Sequence, residues 1–242
     1  MKHAVYSGTR NLYRDMVTAA KSLVANSSVT DVHFLIEDDK FPYRLPDGPV
    51  AWHFKDMSHQ TWFPPDGPNM NTQFTYMAMI RCAYADIFPD IDRIVSFDCD
   101  TVCVDDVDYL WRVDLEGNWV GCNHEFLGTY KQYGAKYWNA GVTVYDLKKM
   151  REEHATEKMV MMLNSEKLWC VEQDCFCQIG KVYTLPERYN ESAVTSYTDD
   201  PAVIHYASFG TDWHNNRKAP RREYWRKYDD MTWDEVFACR RS

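Results

Sequence analysis

The chain has 242 residues, enough for one large domain with a substantial core. Its formal net charge of −9 argues against nucleic acid as a general partner, because neutralising phosphates needs a basic surface. With no signal-peptide pattern after Met1 and no apolar run of about 18 residues, the sequence reads as soluble and cytoplasmic with reduced thiols.

Eight cysteines form no Cys-x-x-Cys pair and no regular framework, so they read as small hydrophobes. Aromatic residues make up 15% of the chain, a level that suits either a sugar or nucleobase cleft or a bulky core.

In chain order, residues 3–7 read as a first strand, and Gly8-Thr9-Arg10-Asn11 turns the chain into a helix over about residues 12–26. Strands follow at 32–36 and 50–54, separated and followed by Pro- and Gly-rich loops that shape a surface or cleft rim. Asn71 or Thr72 caps an expected helix of about 72–88, whose apolar face leaves Arg81 at its border, able to snorkel or to reach inward. The apolar run Ile94–Phe97 then ends abruptly in Asp98-Cys99-Asp100. Alternation along an extended chain sends both carboxylates to one side and Cys99 to the other. Two such charges at the end of a central strand point to a divalent metal; the plain alternative is a solvated acidic loop.

Carboxylates at 105, 106 and 108 suit a helix start, and 119–122 is a further strand leading to Glu125. Residues 137–147 form a strand with small residues at its entry, running into a helix of about 147–164. Glu172, Gln173 and Asp174 open another helix, and 203–206 is a last core strand carrying His205. Alternating strands and helices call for an α/β fold with a mainly parallel sheet. Asp98, Asp100, Glu125, Asn139 and His205 each fall at the end or start of a different apolar run, the pattern of one cleft at one sheet edge.

Phe97-Asp98-Cys99-Asp100, Asn118-Trp119-Val120-Gly121, Tyr137 to Val142, Asp146-Leu147-Lys148-Lys149, Glu172-Gln173-Asp174 and His205-Tyr206 occur in the order seen in family 8 glycosyltransferases. The chain resembles that family over about residues 3–214. The resemblance implies a GT-A fold and a retaining transfer of a hexose, galactose or glucose first, from a UDP-sugar to an acceptor hydroxyl. It implies that Asp98, Asp100 and His205 hold Mn²⁺, with Mg²⁺ as the alternative, and that Ser7, Thr9 and Asn11, with Tyr6 as a lesser candidate, hold uracil and ribose. Arg81 would contact the donor and Cys99 would offer its backbone. Asn139, Ala140, Glu172, Gln173 and Asp174 would hold the donor sugar, with Glu125 near sugar and acceptor and Gln173 beneath the anomeric carbon. The acceptor would be a glycan, a lipid-linked sugar or a protein.

One position departs from the family's pattern: Thr211 stands where a phosphate-binding lysine is common, leaving Arg217 or Lys218 as substitutes. The sequence therefore divides into a catalytic domain, 1–214, and a basic, aromatic extension, 215–242. Within the extension, 217–227 carries six positive charges and one negative, which fits either a peripheral membrane contact or a solvated basic helix. Two other classes compete: a metal-dependent nucleotidyltransferase, and a non-catalytic nucleotide-sugar or glycan-binding relative.

Overall fold

The structure is a computed structural model that describes residues 1–70, 72, 74–125, 137–194, 198–207 and 219–240. Asn71, Thr211, Arg217 and Lys218 lie outside the described residues, and with them one of the two expected helix caps and the phosphate contacts; the other expected cap, Thr72, bonds Phe74 instead.

Ten strands and eight α-helices are described: β1 (His3–Gly8), α1 (Tyr13–Ala25), β2 (Asp31–Ile36), β3 (Ala51–Asp56), α2 (Tyr76–Met79), α3 (Tyr84–Ile87), β4 (Arg93–Phe97), β5 (Thr101–Cys103), β6 (Val120–His124), β7 (Trp138–Asp146), α4 (Leu147–Glu152), α5 (Ala155–Ser165), α6 (Glu172–Ile179), β8 (Val182–Thr184), β9 (Glu191–Ser192), β10 (Val203–His205), α7 (Arg222–Asp230) and α8 (Trp233–Cys239). A seven-stranded sheet runs β3-β2-β1-β4-β7-β6-β8, with only β7 antiparallel to its neighbours. The carboxyl ends of β1, β4 and β6 and the start of β7 therefore share one edge. A small second sheet, β5-β10-β9, stands beside it.

Strand alternation divides the core in two. Ala4 and Tyr6 of β1 face a cluster containing Leu23 of α1, Trp225 of α7 and Val236 of α8. Val5 faces the opposite cluster, with Ile80, Tyr84, Met159 and Phe176. The inner strand β2 is buried throughout, whereas its neighbour, edge strand β3, is mostly exposed and carries His53, Lys55 and Asp56, charges and polar groups that discourage further strand pairing.

Four sequence expectations change. The helix expected over 72–88 starts at Tyr76, where Thr75 Oγ1 accepts from Met77 N, and tightens to a 3-10 turn over Ile80–Ala83. That turn carries Arg81, and such tightening within a helix is common at functional sites. The helix expected over 147–164 breaks into α4 and α5 at His154, whose φ of 55° lies in the left-handed region. The acidic stretch after Val104 forms only the 3-10 turn Asp108–Trp111, because its carboxylates are engaged elsewhere: Asp105 with Arg188, and Asp108 with Lys2 and Ser28. Finally, β10 belongs to the small sheet, where it pairs antiparallel with β5.

Candidate functional site

β4 delivers the acidic pair. Residues 98–101 leave the strand as a turn, closed by Thr101 N–H and Thr101 Oγ1 donating to Asp98 O at 3.2 and 2.7 Å. The two carboxylates share a side because of this turn, not because of the extended alternation that the sequence suggested. Cys99 does face away, its thiol donating to Ser7 O at 3.4 Å.

β10 delivers the histidine. His205 pairs in register with Thr101, and Tyr206 N–H donates to Asp100 O at 2.9 Å, which sets the imidazole beside the turn. His205 Nε2 lies 3.2 Å from Asp100 Oδ1 and 3.5 Å from Asp98 Oδ2. One donor atom from each of Asp98, Asp100 and His205 falls within 4.8 Å of the others. Burial alone would lower the His205 pKa, but the Asp100 and Asp98 charges reverse this and hold it above its ordinary value. Burial likewise works against ionised Asp100, yet the His205 charge wins and keeps its pKa low.

Two carboxylates and an imidazole that converge in this way fit a divalent cation, and the oxygen-nitrogen donor set suits manganese. Gly141 makes room for the arrangement. A Cβ there would lie 2.2 Å from His205 Nδ1 and Cε1, so the small residue serves the histidine as well as any ligand.

Arg81 is buried and forms the wall on one side. It donates through Nη2 to Asp98 and through Nη1 to Ala140 O at 3.1 Å, and stands 3.6 Å from Glu172 Oε1. Burial, aided by the Asp98 charge and opposed by Arg81, raises the Glu172 pKa to about 7. On the other side, Gln173 Oε1 accepts from Ala140 N–H at 2.8 Å and Gln173 Nε2 donates to Glu125 at 3.5 Å. Asn139 Nδ2 donates to the same Glu125 oxygen at 3.0 Å. The helix bearing Glu172 and Gln173 starts from a strained residue: Val171, β-branched, has φ 36° and ψ −100°.

The remaining sequence candidates are placed differently. Asp174 is fully buried and accepts from Tyr137 OH at 2.5 Å and from Trp169 and Cys170 N–H at 2.7 and 3.2 Å, holding the loop before α6 in shape. Tyr6 has its ring stacked between Phe34 and Phe97 in the core. Ser7 is nearly buried and donates to Met77 O at 3.3 Å. Thr9 and Asn11 lie together at the more open end of the β1 turn, with Thr9 Oγ1 donating to Asn11 Oδ1 at 2.5 Å. Sequence reasoning missed Asn190, which follows a 3-10 turn and bridges His205 and Asn139. No local signal distinguishes it from an ordinary turn asparagine.

α7 and α8 dock on α1. Trp225 is buried beneath Arg14, whose guanidinium carbon lies 5.5 Å from the ring, and Arg14 pairs with Asp229 at 2.6 Å. One of the two aromatics in the basic stretch is thus part of the core. Among the described residues, no helix is long and apolar enough to cross a membrane.

In fold, the chain matches the WbbM bifunctional glycosyltransferase with a TM-score of 0.77 at 19% identity, over 100% of this chain and 52% of that one. It matches the galactosyltransferase LgtC, solved in complex with donor and acceptor sugar analogs, with a TM-score of 0.72 at 22% identity, over 97% and 99% of the two chains. The architecture is therefore that of the GT-A glycosyltransferases. The sequence narrows the class: the profile of Glycosyl transferase family 8 matches residues 3–217, and the chain belongs to that family. Among curated relatives, General stress protein A of Bacillus subtilis is 24% identical over 198 residues, 69% of each chain. Glycosyltransferase GlyA of Streptococcus pneumoniae is 25% identical over 68% of this chain, which spans only 25% of GlyA. Probable galacturonosyltransferase-like 3 of Arabidopsis thaliana is 27% identical over 62% of this chain and 54% of its own length.

Proposed function

We propose that the protein transfers a hexose, galactose or glucose first, from a UDP-sugar to an acceptor hydroxyl with retention of configuration, using Mn²⁺. The observation that carries this reading is the convergence of Asp98, Asp100 and His205 at the sheet edge that also bears Arg81, Gln173 and Glu125. When bound there, the cation would neutralise charge on the departing diphosphate.

The chain's own residues would do the rest. Ser7, Thr9 and Asn11, with the Cys99 backbone, border the nucleoside end of the cleft. Arg81 keeps its charge under all ordinary conditions and would orient the donor. Asn139, Glu172 and Gln173 offer amide and carboxylate groups suited to sugar hydroxyls, and Glu125 extends that surface toward the acceptor. Asp174 would act at a distance, holding the loop that leads to Gln173. Gln173 is a poor nucleophile, so we favour attack from the face the diphosphate leaves, with the Gln173 amide stabilising developing positive charge and the diphosphate accepting the hydroxyl proton. The acceptor is a glycan, a lipid-linked sugar or a protein, and the exposed face of α7 is a candidate for peripheral membrane contact.

The test is UDP release by purified protein across a panel of UDP-sugars, with Mn²⁺ and with chelator. Release from one hexose donor that stops on chelation, with an α-linked product, is the expected result. Pyrophosphate release would assign a nucleotidyltransferase instead, and no turnover with any donor or acceptor would leave a binding protein.

A further inference from the structure

His205 has two ring nitrogens, and only Nε2 faces Asp98 and Asp100. Nδ1 lies 3.0 Å from Asn190 Oδ1. Which nitrogen carries the proton is decided two residues away, by a backbone group with no choice. Gly141 N–H can only donate, and it meets Asn139 at 2.9 Å, so the atom it meets is Oδ1. The same oxygen lies 2.8 Å from Asn190, which must therefore present its NH₂ group. The Asn190 carbonyl oxygen is then left facing His205, and as a pure acceptor it requires a proton on Nδ1. At its other end the chain of bonds reaches Glu125 through Asn139 Nδ2 at 3.0 Å. His205, Asn190, Asn139 and Glu125 are all buried, so water competes poorly for these bonds.

We propose that Asn190 is a positioning residue for the metal-binding histidine. Together with Asn139 it transmits the fixed polarity of the Gly141 N–H to His205, keeping Nδ1 protonated and the Nε2 lone pair turned toward the cation. Partners of this kind orient metal-bound imidazoles and raise their basicity. The inference rests on the reading of Asp98, Asp100 and His205 as a divalent-cation site. It also links the cation's histidine to Glu125 and hence to Gln173, so one set of amides would orient both halves of the cleft.

Two measurements test it. Long-range ¹H–¹⁵N correlation on metal-free protein reads the His205 protonation pattern directly, and Mn²⁺ electron paramagnetic resonance reads affinity in the wild type, Asn190→Leu and Asn190→Asp. At a pH where the ring carries a single proton, that proton is expected on Nδ1 in the metal-free wild type. Asn190→Leu should weaken Mn²⁺ binding about 10–100-fold. Asn190→Asp keeps an acceptor for Nδ1–H, and a carboxylate there raises the basicity of the imidazole, so it should bind Mn²⁺ more tightly than Asn190→Leu.

A wild-type Nδ1 without a proton overturns the inference. So does a cooperatively melting Asn190→Leu protein that binds Mn²⁺ as well as wild type, or Asn190→Asp binding more weakly than Asn190→Leu. If Asn190→Leu does not fold, the wild-type spectrum decides alone. Failure of the wild type to bind Mn²⁺ would remove the cation reading itself; binding by the wild type and Asn190→Leu alike would remove only the role of Asn190.

Discussion

Two clusters of histidine and aspartate stand out among the described residues, at opposite ends of the parallel strands, and one of them brings three donor atoms together as a possible cation site. At the amino ends, His3, His33, His53 and Asp31 satisfy one another. His3 Nδ1 lies 3.2 Å from His33 Nε2, His53 Nε2 lies 2.9 Å from Asp31 Oδ1, and the His33 and His53 rings stack at 4.5 Å. At the carboxyl ends, Asp98 and Asp100 converge on a single imidazole nitrogen whose partner nitrogen is already committed to Asn190. Residue type is nearly the same in both places. The difference is that the first cluster pairs off its groups, whereas the second brings one donor atom from each of three residues within 4.8 Å of the others.

Four experiments sharpen that contrast. The largest effect is expected from Asp100→Asn, which should weaken Mn²⁺ binding by more than the roughly 100-fold that outer partners cost. Asp31→Asn should leave Mn²⁺ affinity and UDP release unchanged, and an equal loss from both would erase the distinction.

Next comes Glu172 in metal-free protein. Its folded pKa of about 7 lies above the ordinary value of 4.5, so the native state holds more protons than the unfolded chain between those values. Stability should therefore fall as pH rises through that window, by up to about 3 kcal/mol. Chemical denaturation at several pH values should show Glu172→Gln losing this slope; an unchanged slope would refute the assignment.

Gly141→Ala should destabilise the fold by about 1–3 kcal/mol by overpacking, and should displace His205 enough to weaken Mn²⁺ binding as well. A variant with wild-type melting and affinity would show that the imidazole has room to move.

The smallest effect belongs to the lower cluster. Burial, with the His53 and His3 charges added and the Asp31 charge opposing, lowers the His33 pKa to about 4 from 6.5. The native state then holds fewer protons, and stability should fall as pH drops through this window, the opposite sign to Glu172. His33→Phe should flatten that fall, by about 1 kcal/mol after allowing for the exposed His53 beside it. Denaturation curves between pH 4 and 6.5 read the change.

The sequence points to Asp98 and Asp100 because the pair closes an apolar run, and an apolar run locates a strand end; joining His205 to them rested on the family resemblance. It could not show that β10 joins a separate sheet, since three apolar residues do not name their neighbour. Tyr6 illustrates the same limit. Strand alternation tells which residues share a face but not which face meets the cleft, and the ring turned out to lie between Phe34 and Phe97. The break before α5 was hidden for a tertiary reason: Glu153, a plausible helical partner for Lys149, also accepts from Trp119 Nε1 at 2.7 Å. Asn190 is the clearest case, because its importance lies wholly in what stands on either side of it in space.

The docking of α7 and α8 on α1 has a consequence for how the molecule is made. Arg14 and Thr18 bond Asp229, residues more than 200 positions later in the chain. At ribosomal speeds of about 5–20 residues per second, the first helix would wait roughly 10–40 s for the segments that cover it. During that interval Leu23 and Val24 lack Trp225 and Val236, members of the same core cluster, so the nascent chain shows a greasy stripe that a chaperone can grip. Helices made more than 200 positions later would thus complete α1.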